Sequence, residues 1–282
     1  MADHKLPLSV SYPPMDKMEA AVSPQFLLDR GFDAIDVSIP SLLNQFGKDW
    51  RAKTEEFKKA IDDSGIIAIS AHLPFRAATK EQLHEDMLIG LEIASMLGIK
   101  RGVIHPIGNG KEEDTPENRQ KWFEKNIKYY NKYLPIAKEY GIQIVTENMR
   151  NPHWAQGCHR YASTADELIE LADALDLEIC WDFGHAHEAH LDHYTELKKI
   201  GKRLTMTHIN DNWQGPSDEH LPPFYGTGDW AAACRGLREI GYSEPINFEV
   251  KFKQLPSRIL PEAALLVRAI GELLLDMIFE VE

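Results

Sequence analysis

The amino-acid sequence predicts a single (β/α)8 TIM barrel formed by residues 1–282 as one domain. Two observations carry this expectation. Short runs of apolar and β-branched residues alternate from end to end with polar loops and amphipathic stretches, the pattern of repeated βα units. The runs number eight, enough to close a barrel, and recur at roughly 30 to 40 residues without a Ser- or Pro-rich linker between them.

Taken in order, strands are expected at Leu6 to Ser11, Ala34 to Ile39, Ile66 to His72 and Arg101 to His105, then at Ile142 to Glu147, Leu177 to Asp182, Leu204 to Ile209 and Pro245 to Val250. Helices start at recognisable signals between them. Thr115-Pro116-Glu117 places a capping hydroxyl and a proline before a long amphipathic stretch, and Ser163-Thr164-Ala165-Asp166-Glu167 precedes LIELADAL. Glycines at Gly65, Gly98, Gly141 and Gly241 stop helices just before the next strand. Gly226 to Asp229, GTGD, is the entry to a helix rather than a phosphate-cradling loop. The apolar end, PEAALLVRAIGELLLDMIFEVE, is interrupted by Arg268, Glu272 and Asp276. It is therefore expected to be a closing helix on the barrel and not a membrane span.

At 43% hydrophobic the chain can bury a large core. Its first residues lack the apolar stretch of a signal peptide, so a cytoplasmic protein is expected. The three cysteines, Cys158, Cys180 and Cys234, show no paired spacing and are expected to be packing residues. A formal net charge of −13 disfavours nucleic acid and anionic lipid as partners, although it leaves a local basic groove open.

The strand ends carry the chemistry. In a barrel of parallel strands the C-terminal ends converge on one mouth, and four of them end in Glu147, Asp182, His208 and Glu249. Three carboxylates and an imidazole are costly to bury together unless something neutralises them. Ion pairing to Lys or Arg is the competing explanation, yet the nearest basic residues, Arg150 and Lys251, lie beyond in loops. A divalent metal is therefore expected at Glu147, Asp182, His208 and Glu249, and the ligand set suits Mn²⁺, Mg²⁺, Co²⁺ or Zn²⁺ alike. Glu147 and Glu249 have a second role open to them as a proton-exchanging pair, since a carbohydrate chelated through adjacent carbonyl and hydroxyl oxygens has an acidified C–H between them.

Phe75, Trp154, Trp213, Phe224 and Tyr225 fall in the loops near the mouth and could wall off the apolar face of a sugar. Arg150, Lys251 and Lys253 are candidates for gripping a phosphate or carboxylate. Of the cluster His185, His187, His190 and His193, only His185 stands against a strand end. The others are expected on the surface or on a helix face.

The motifs HLPF around His72, IHP around His105, TENM around Glu147, WDFGHAHEA around Asp182, THINDN around His208, SDEHLPPFYGTGDW around His220 and NFEV around Glu249 together resemble the xylose-isomerase-like TIM-barrel superfamily. That superfamily holds sugar and sugar-phosphate isomerases and epimerases, inosose-processing enzymes and apurinic endonucleases. The ketose 3-epimerase pattern implies Glu147, Asp182, His208 and Glu249 as metal ligands and Glu147 with Glu249 as the acid/base pair. It implies substrate contacts from His185 and His220, and His72 and His105 are taken as further substrate-binding residues. Mn²⁺ is the expected ion, and a homodimer or tetramer the expected assembly. The endonuclease pattern instead implies extra zinc sites at His72 and His105 and at His185, Asp218 and His220. The continuation LPPFYGTGDW and the acidic balance favour sugar chemistry through an enediolate. A trinuclear zinc apurinic endonuclease, an inosose dehydratase-type lyase and a non-catalytic sugar-binding barrel remain the alternatives.

Overall fold

A computed structural model describes residues 6–12, 23–252 and 255–280. Eight parallel strands form the barrel wall: β1 Leu8–Tyr12, β2 Ala34–Ser38, β3 Ile67–His72, β4 Arg101–Ile104, β5 Gln143–Glu147, β6 Glu178–Asp182, β7 Leu204–His208 and β8 Ile246–Phe248. Each lies within two residues of its expected position. Neighbours follow chain order from β1 to β7, and β8 pairs with β1 through Leu8 opposite Ile246 and Val10 opposite Phe248. The seam between β7 and β8 closes by a bridge between Ile209 and Phe248, with Ile209 N–H donating to Asn247 O at 2.7 Å and Glu249 N–H to Ile209 O at 3.0 Å. A two-residue antiparallel pair, Glu112–Glu113 with Cys158–His159, ties the loop after β4 to the loop after β5.

The period of two along each strand decides what the interior holds. Val103, Val145, Cys180 and Met206, from β4 to β7, form a small buried apolar cluster of their own. Two residues further along the same four strands the positions are His105, Glu147, Asp182 and His208. The barrel interior thus changes within one step from a packed apolar layer to a polar ring at the mouth. The larger core lies outside the sheet, between strands and helices. There the closing helix Leu260–Phe279 buries Leu260, Val267, Leu274 and Ile278 and leaves Leu265, Leu266 and Leu273 exposed. Gly271 lets that helix approach the wall, because a Cβ there would stand 2.6 Å from Leu8 Cδ1 and 3.1 Å from Phe248 Cε2.

Helix boundaries follow their signals. The Thr115 hydroxyl accepts from Asn118 N–H at 3.2 Å, Asp229 caps Trp230–Glu239 by accepting from Ala232 N–H at 2.9 Å, and Gly65 closes Trp50–Ser64 at φ 82°. Cys180 and Cys234 are buried and all three cysteines are free. Among the described residues no helix is long and apolar enough to cross a membrane.

The histidines after β6 take surface or helix positions as expected, but two of the helix positions are buried. His190 is exposed, but His187 and His193 are buried, His187 against Thr227 and His193 against the Phe183 ring at 5.0 Å. Burial pushes His193 down to about 4, because the charged imidazolium would lose its water. Its folded value lies below its unfolded value of about 6.5, so the neutral ring contributes stability above that pH, and the contribution is lost as pH falls through the window down to about 4. The loss is expected to reach about 3 kcal/mol. Urea unfolding at stepped pH checks it: His193→Leu should show a shallower acid loss than the parent protein, and parallel curves would refute the assignment.

Candidate functional site

Glu147 ends β5, Asp182 ends β6, His208 ends β7 and Glu249 follows β8, and one donor atom from each lies within 4.8 Å of all the others. Glu147, Asp182 and His208 are fully buried. His208 Nδ1 stands 3.2 Å from Glu147 Oε1 and 3.2 Å from Glu249 Oε2. These approaches lack hydrogen-bond geometry, so Glu147 Oε1 and both ring nitrogens of His208 are buried without a hydrogen-bond partner. Nor does any Lys or Arg form an ion pair with Glu147, Asp182 or Glu249 among the described residues. Orphaned buried polar atoms of this kind cost on the order of 1–3 kcal/mol each. Carboxylate oxygens and an imidazole converging on one point form the donor set a divalent cation takes, so the residues fit the ion that the sequence implies.

The ring is held by its neighbours. Asn148 grips the Asp182 backbone from both sides, accepting from its N–H at 2.6 Å and donating to its carbonyl at 2.9 Å. Asn210 donates to Asp182 Oδ2 at 2.8 Å, and Asp182 Oδ1 accepts from His185 N–H at 2.6 Å, capping the short helix Phe183–Glu188. Gly184 leaves room for this, since a Cβ there would fall 1.8 Å from Asn210 Oδ1.

Two histidines have their tautomers set by backbone carbonyls, which can only accept. His185 Nδ1–H donates to Asn148 O and His220 Nδ1–H to Glu249 O, each at 2.8 Å. The Nε2 atom of each ring is left to other partners. That of His220 is 3.1 Å from Asp218 Oδ1, and His185, Asp218 and His220 form a second group with converging donor atoms. His72 and His105 form a third group with Glu147: their Nε2 atoms are 2.7 Å apart, and His105 Nε2 is 3.1 Å from Glu147 Oε2. All four predicted substrate-binding histidines, His72, His105, His185 and His220, therefore line the cavity that contains Glu147 and Glu249.

Burial and neighbouring charge set the protonation of these groups. Burial alone would raise Glu147, but His208 and His105 beside it hold its carboxyl well below the usual range. Burial dominates at Asp182 and raises it, with His185 opposing. Burial, reinforced by His105, pushes His72 down to about 3. His220 goes the other way, up to about 9, because Glu249 and Asp218 overcome its burial.

The cavity at the mouth measures ≈ 620 Å³, a size suited to a small metabolite. Phe75 lines it, whereas Trp154, Trp213, Phe224 and Tyr225 lie outside and are 45% to 61% exposed, so the expected aromatic wall is reduced to one ring. Arg150 reaches the cavity but is engaged by Glu188 at 2.6 and 3.1 Å. Lys251 lines the cavity, and Lys253 lies outside the described residues. Three contributors went unpredicted. Asp36, buried within β2, bonds Ser70 and stands 4.0 Å from His208 Nε2. Its signal is a carboxylate inside the apolar run AIDVS. Asp211, beyond β7, accepts from the backbone N–H groups of Asn212, Phe224, Gly226 and Gly228 and from Trp230 Nε1 at 2.8 to 3.2 Å, fastening the loop that carries Asp218 and His220. Arg160 enters the cavity wall from the loop after β5, and no local pattern announces it.

Comparison with known proteins follows the geometry. Residues 24–270 match the family model described as xylose isomerase-like TIM barrel. Among curated proteins the chain is similar to uncharacterized protein MJ1311 of Methanocaldococcus jannaschii, 32% identical over 133 residues covering 45% of this chain and 43% of that one. It is also similar to uncharacterized protein y4fM of Sinorhizobium fredii, 27% identical over 159 residues covering 56% and 50%. The chain thus spans about half the length of the curated relatives it matches. Three solved structures share the fold. An IOLI protein with a binding zinc atom has TM-score 0.76 at 18% identity, covering 98% of this chain and 99% of that one. A D-tagatose 3-epimerase-like protein has TM-score 0.73 at 21% identity, covering 98% and 99%. D-psicose 3-epimerase from Clostridium cellulolyticum H10, crystallised with D-tagatose, has TM-score 0.70 at 13% identity, covering 96% and 99%.

If the ring at Glu147, Asp182, His208 and Glu249 takes a cation, saturating Mn²⁺ or Zn²⁺ should raise the melting temperature by roughly 5–10 °C, and a chelator should reverse it. Asp182→Asn should abolish the shift in differential scanning fluorimetry. An Asp182→Asn protein that keeps the full shift would place the ion elsewhere.

Proposed function

Because the chain belongs to the xylose isomerase-like TIM barrel family, we propose that it is a divalent-metal-dependent isomerase or 3-epimerase of a sugar or sugar phosphate. The observation that carries this is the convergence of Glu147, Asp182, His208 and Glu249 on one another beside the cavity, which Glu147 and Glu249 line, with Glu147 Oε1 and both His208 nitrogens buried without a partner in hydrogen-bond geometry. The zinc atom of the IOLI protein and the epimerase names of the structural neighbours are consistent with it.

A divalent ion held by these four residues, Mn²⁺ being the first to try, would supply the charge that polarises adjacent sugar oxygens and acidifies the C–H between them. Glu147 and Glu249 are the proton carriers. Both are held below the usual carboxylate range: burial opposes this at each, but His208 and His105 act on Glu147 and His220 and His208 on Glu249. The ionised carboxylate that faces the C–H takes its proton and becomes a carboxylic acid, which leaves the substrate as its enediolate. For an isomer the newly protonated carboxyl returns that proton to the neighbouring carbon while a hydroxyl proton passes between the two enediolate oxygens; for an epimer the other carboxylate first takes a proton from solvent and gives it to the opposite face of the same carbon, and the first releases its proton to solvent. His185 and His220, with Nδ1–H spent on backbone carbonyls, present Nε2 to a sugar hydroxyl, and His220, raised to about 9, carries a proton there and donates it. His72, kept neutral by burial, can bind a hydroxyl without adding charge.

Incubation with a panel of ketoses, ketose phosphates and keto-inositols in deuterated water tests this. Label should enter the sugar with the parent protein, and Glu147→Gln and Glu249→Gln should each slow uptake by about 10²- to 10⁴-fold. Uptake that survives complete metal depletion would refute the mechanism.

A second function is favoured by one specific feature: Glu147 is shared by the ring and by the His72–His105 group, and His185, Asp218 and His220 form another. That is a donor set for three metal ions and for phosphodiester cleavage of abasic DNA. The net charge of −13 weighs against a DNA partner. Metal content after zinc loading separates the two: a single zinc per chain is expected, and three per chain together with nicking of an abasic duplex would favour the nuclease.

A further inference from the structure

The cavity has a basic wall that proton exchange leaves unused. Arg160 comes from the loop after β5, and its stem lies against two glycines of the loop after β4: a Cβ on Gly110 would meet Arg160 Cβ at 3.2 Å, and one on Gly108 would meet its Cγ at 3.5 Å. The stem is thereby admitted beside the cavity, which Arg160, Gly108 and Arg76 all line. Its Nε is buried without a hydrogen-bond partner, and no carboxylate pairs with the guanidinium among the described residues. The nearby Glu188 is engaged by Arg150, and Asp218 stands beside His220. Arg76 sits over the Phe75 ring at 5.2 Å, at the side of the same cavity. Burial lowers Arg160, and the like charges of Arg150 and Arg76 add to this, so these cations press on one another. Glu147 and Glu188 offset part of this, but of the three guanidinium groups that line the cavity only Arg150 is engaged by a carboxylate, an arrangement that an anion would relieve.

We propose that the sugar handled in this cavity carries an anionic group, a phosphate or a carboxylate, seated on Arg160 and Arg76. The inference rests on the sugar isomerase or epimerase function of the same cavity and names its substrate class. The planar guanidinium forks match either oxyanion, and Glu147 and Glu249 line the same cavity.

Matched neutral, phosphorylated and carboxylated ketoses, compared by deuterium uptake, test it. The parent protein should prefer an anionic sugar over its neutral counterpart by about 10²-fold in kcat/KM. Arg160→Gln should remove that preference while changing the neutral sugar less than threefold, a split that a merely structural role would not give. The phosphate and carboxylate arms show which oxyanion is used. Equal handling of neutral and anionic sugars by the parent protein, or an equal loss on both in the variant, overturns the proposal. If no sugar takes up label, the isomerase function fails, and calorimetric titration of the metal-loaded protein with inorganic phosphate decides the anion site on its own. Binding weakened at least tenfold by Arg160→Gln supports it, and binding absent or indifferent to the change overturns it. Should Arg160→Gln fail to fold, Arg76→Gln, at an exposed position, carries the same comparisons.

Discussion

The mouth of this barrel is governed by the meeting of Glu147, Asp182 and His208 in full burial, with Glu249 at their edge and no Arg or Lys ion pair to these carboxylates among the described residues. In a low-dielectric interior, like-charged carboxylates at these distances repel by several kcal/mol unless a proton or a cation intervenes. The structure accepts that repulsion and fixes it in place, through Asn148 and Asn210 on Asp182 and the backbone carbonyls that orient His185 and His220. A ring built only for stability would be relieved by an apolar substitution. Its persistence next to an apolar layer made of Val103, Val145, Cys180 and Met206 marks the strand ends as the place where stability yields to chemistry.

The same alternation explains why so much was legible in the sequence. A parallel strand buried on both faces reads as an apolar run, so a single Glu, Asp or His at its end stands out. The strand positions and the four ring residues follow from this rule together with barrel closure, and the family match is consistent with the motifs that surround them. What was not legible depends on distance. The wall that Arg160 joins is set by a loop packing against Gly108 and Gly110 from another loop, and nothing local to Arg160 reports it. Arg150 is a candidate in the sequence for gripping a phosphate or carboxylate, whereas the carboxylate of Glu188, 38 residues away, engages it. The aromatic side chains near the mouth were assigned from loop membership alone, which says nothing of direction, and most of them turn away from the cavity. His187 and His193 lie on helices, one of the two expected placements, but on buried faces, which a polar-looking histidine run does not announce because a neutral imidazole can pack against Phe183 as an aromatic.

Asp211 shows a further kind of invisibility. Its carboxylate gathers donors from four backbone amides and from Trp230, fastening the loop of residues 212–229 above the ring. A Cβ at Gly226 would fall 2.2 Å from Asn212 O, so this loop closes only with glycine there, and Phe224 accepts a φ of 71° to complete the turn. The motif THINDN contains Asp211 beside His208, but a strand-end carboxylate can turn inward to a substrate or outward to hold a loop, and spacing alone does not separate the two.

This division of labour bears on how one inner ring could serve unlike substrates. Glu147, Asp182, His208 and Glu249 are presented by strands and held by the barrel itself, whereas His220 and Asp218 sit on the loop that Asp211 fastens, and Arg76, Arg150 and Arg160 sit on loops after β3 and β5. Loop residues can change without disturbing closure of the barrel. Under the proposed function, the inner ring would settle which kind of bond can be activated, and the outer groups which molecule is presented to it. In this protein the outer groups are unevenly charged: histidines that can meet hydroxyls lie close to the ring, and guanidinium groups line a wall of the same cavity. The anionic sugar proposed for this cavity would satisfy both. A long duplex presents negative charge along its whole length and would meet the net acidic exterior of this chain as well as its basic wall.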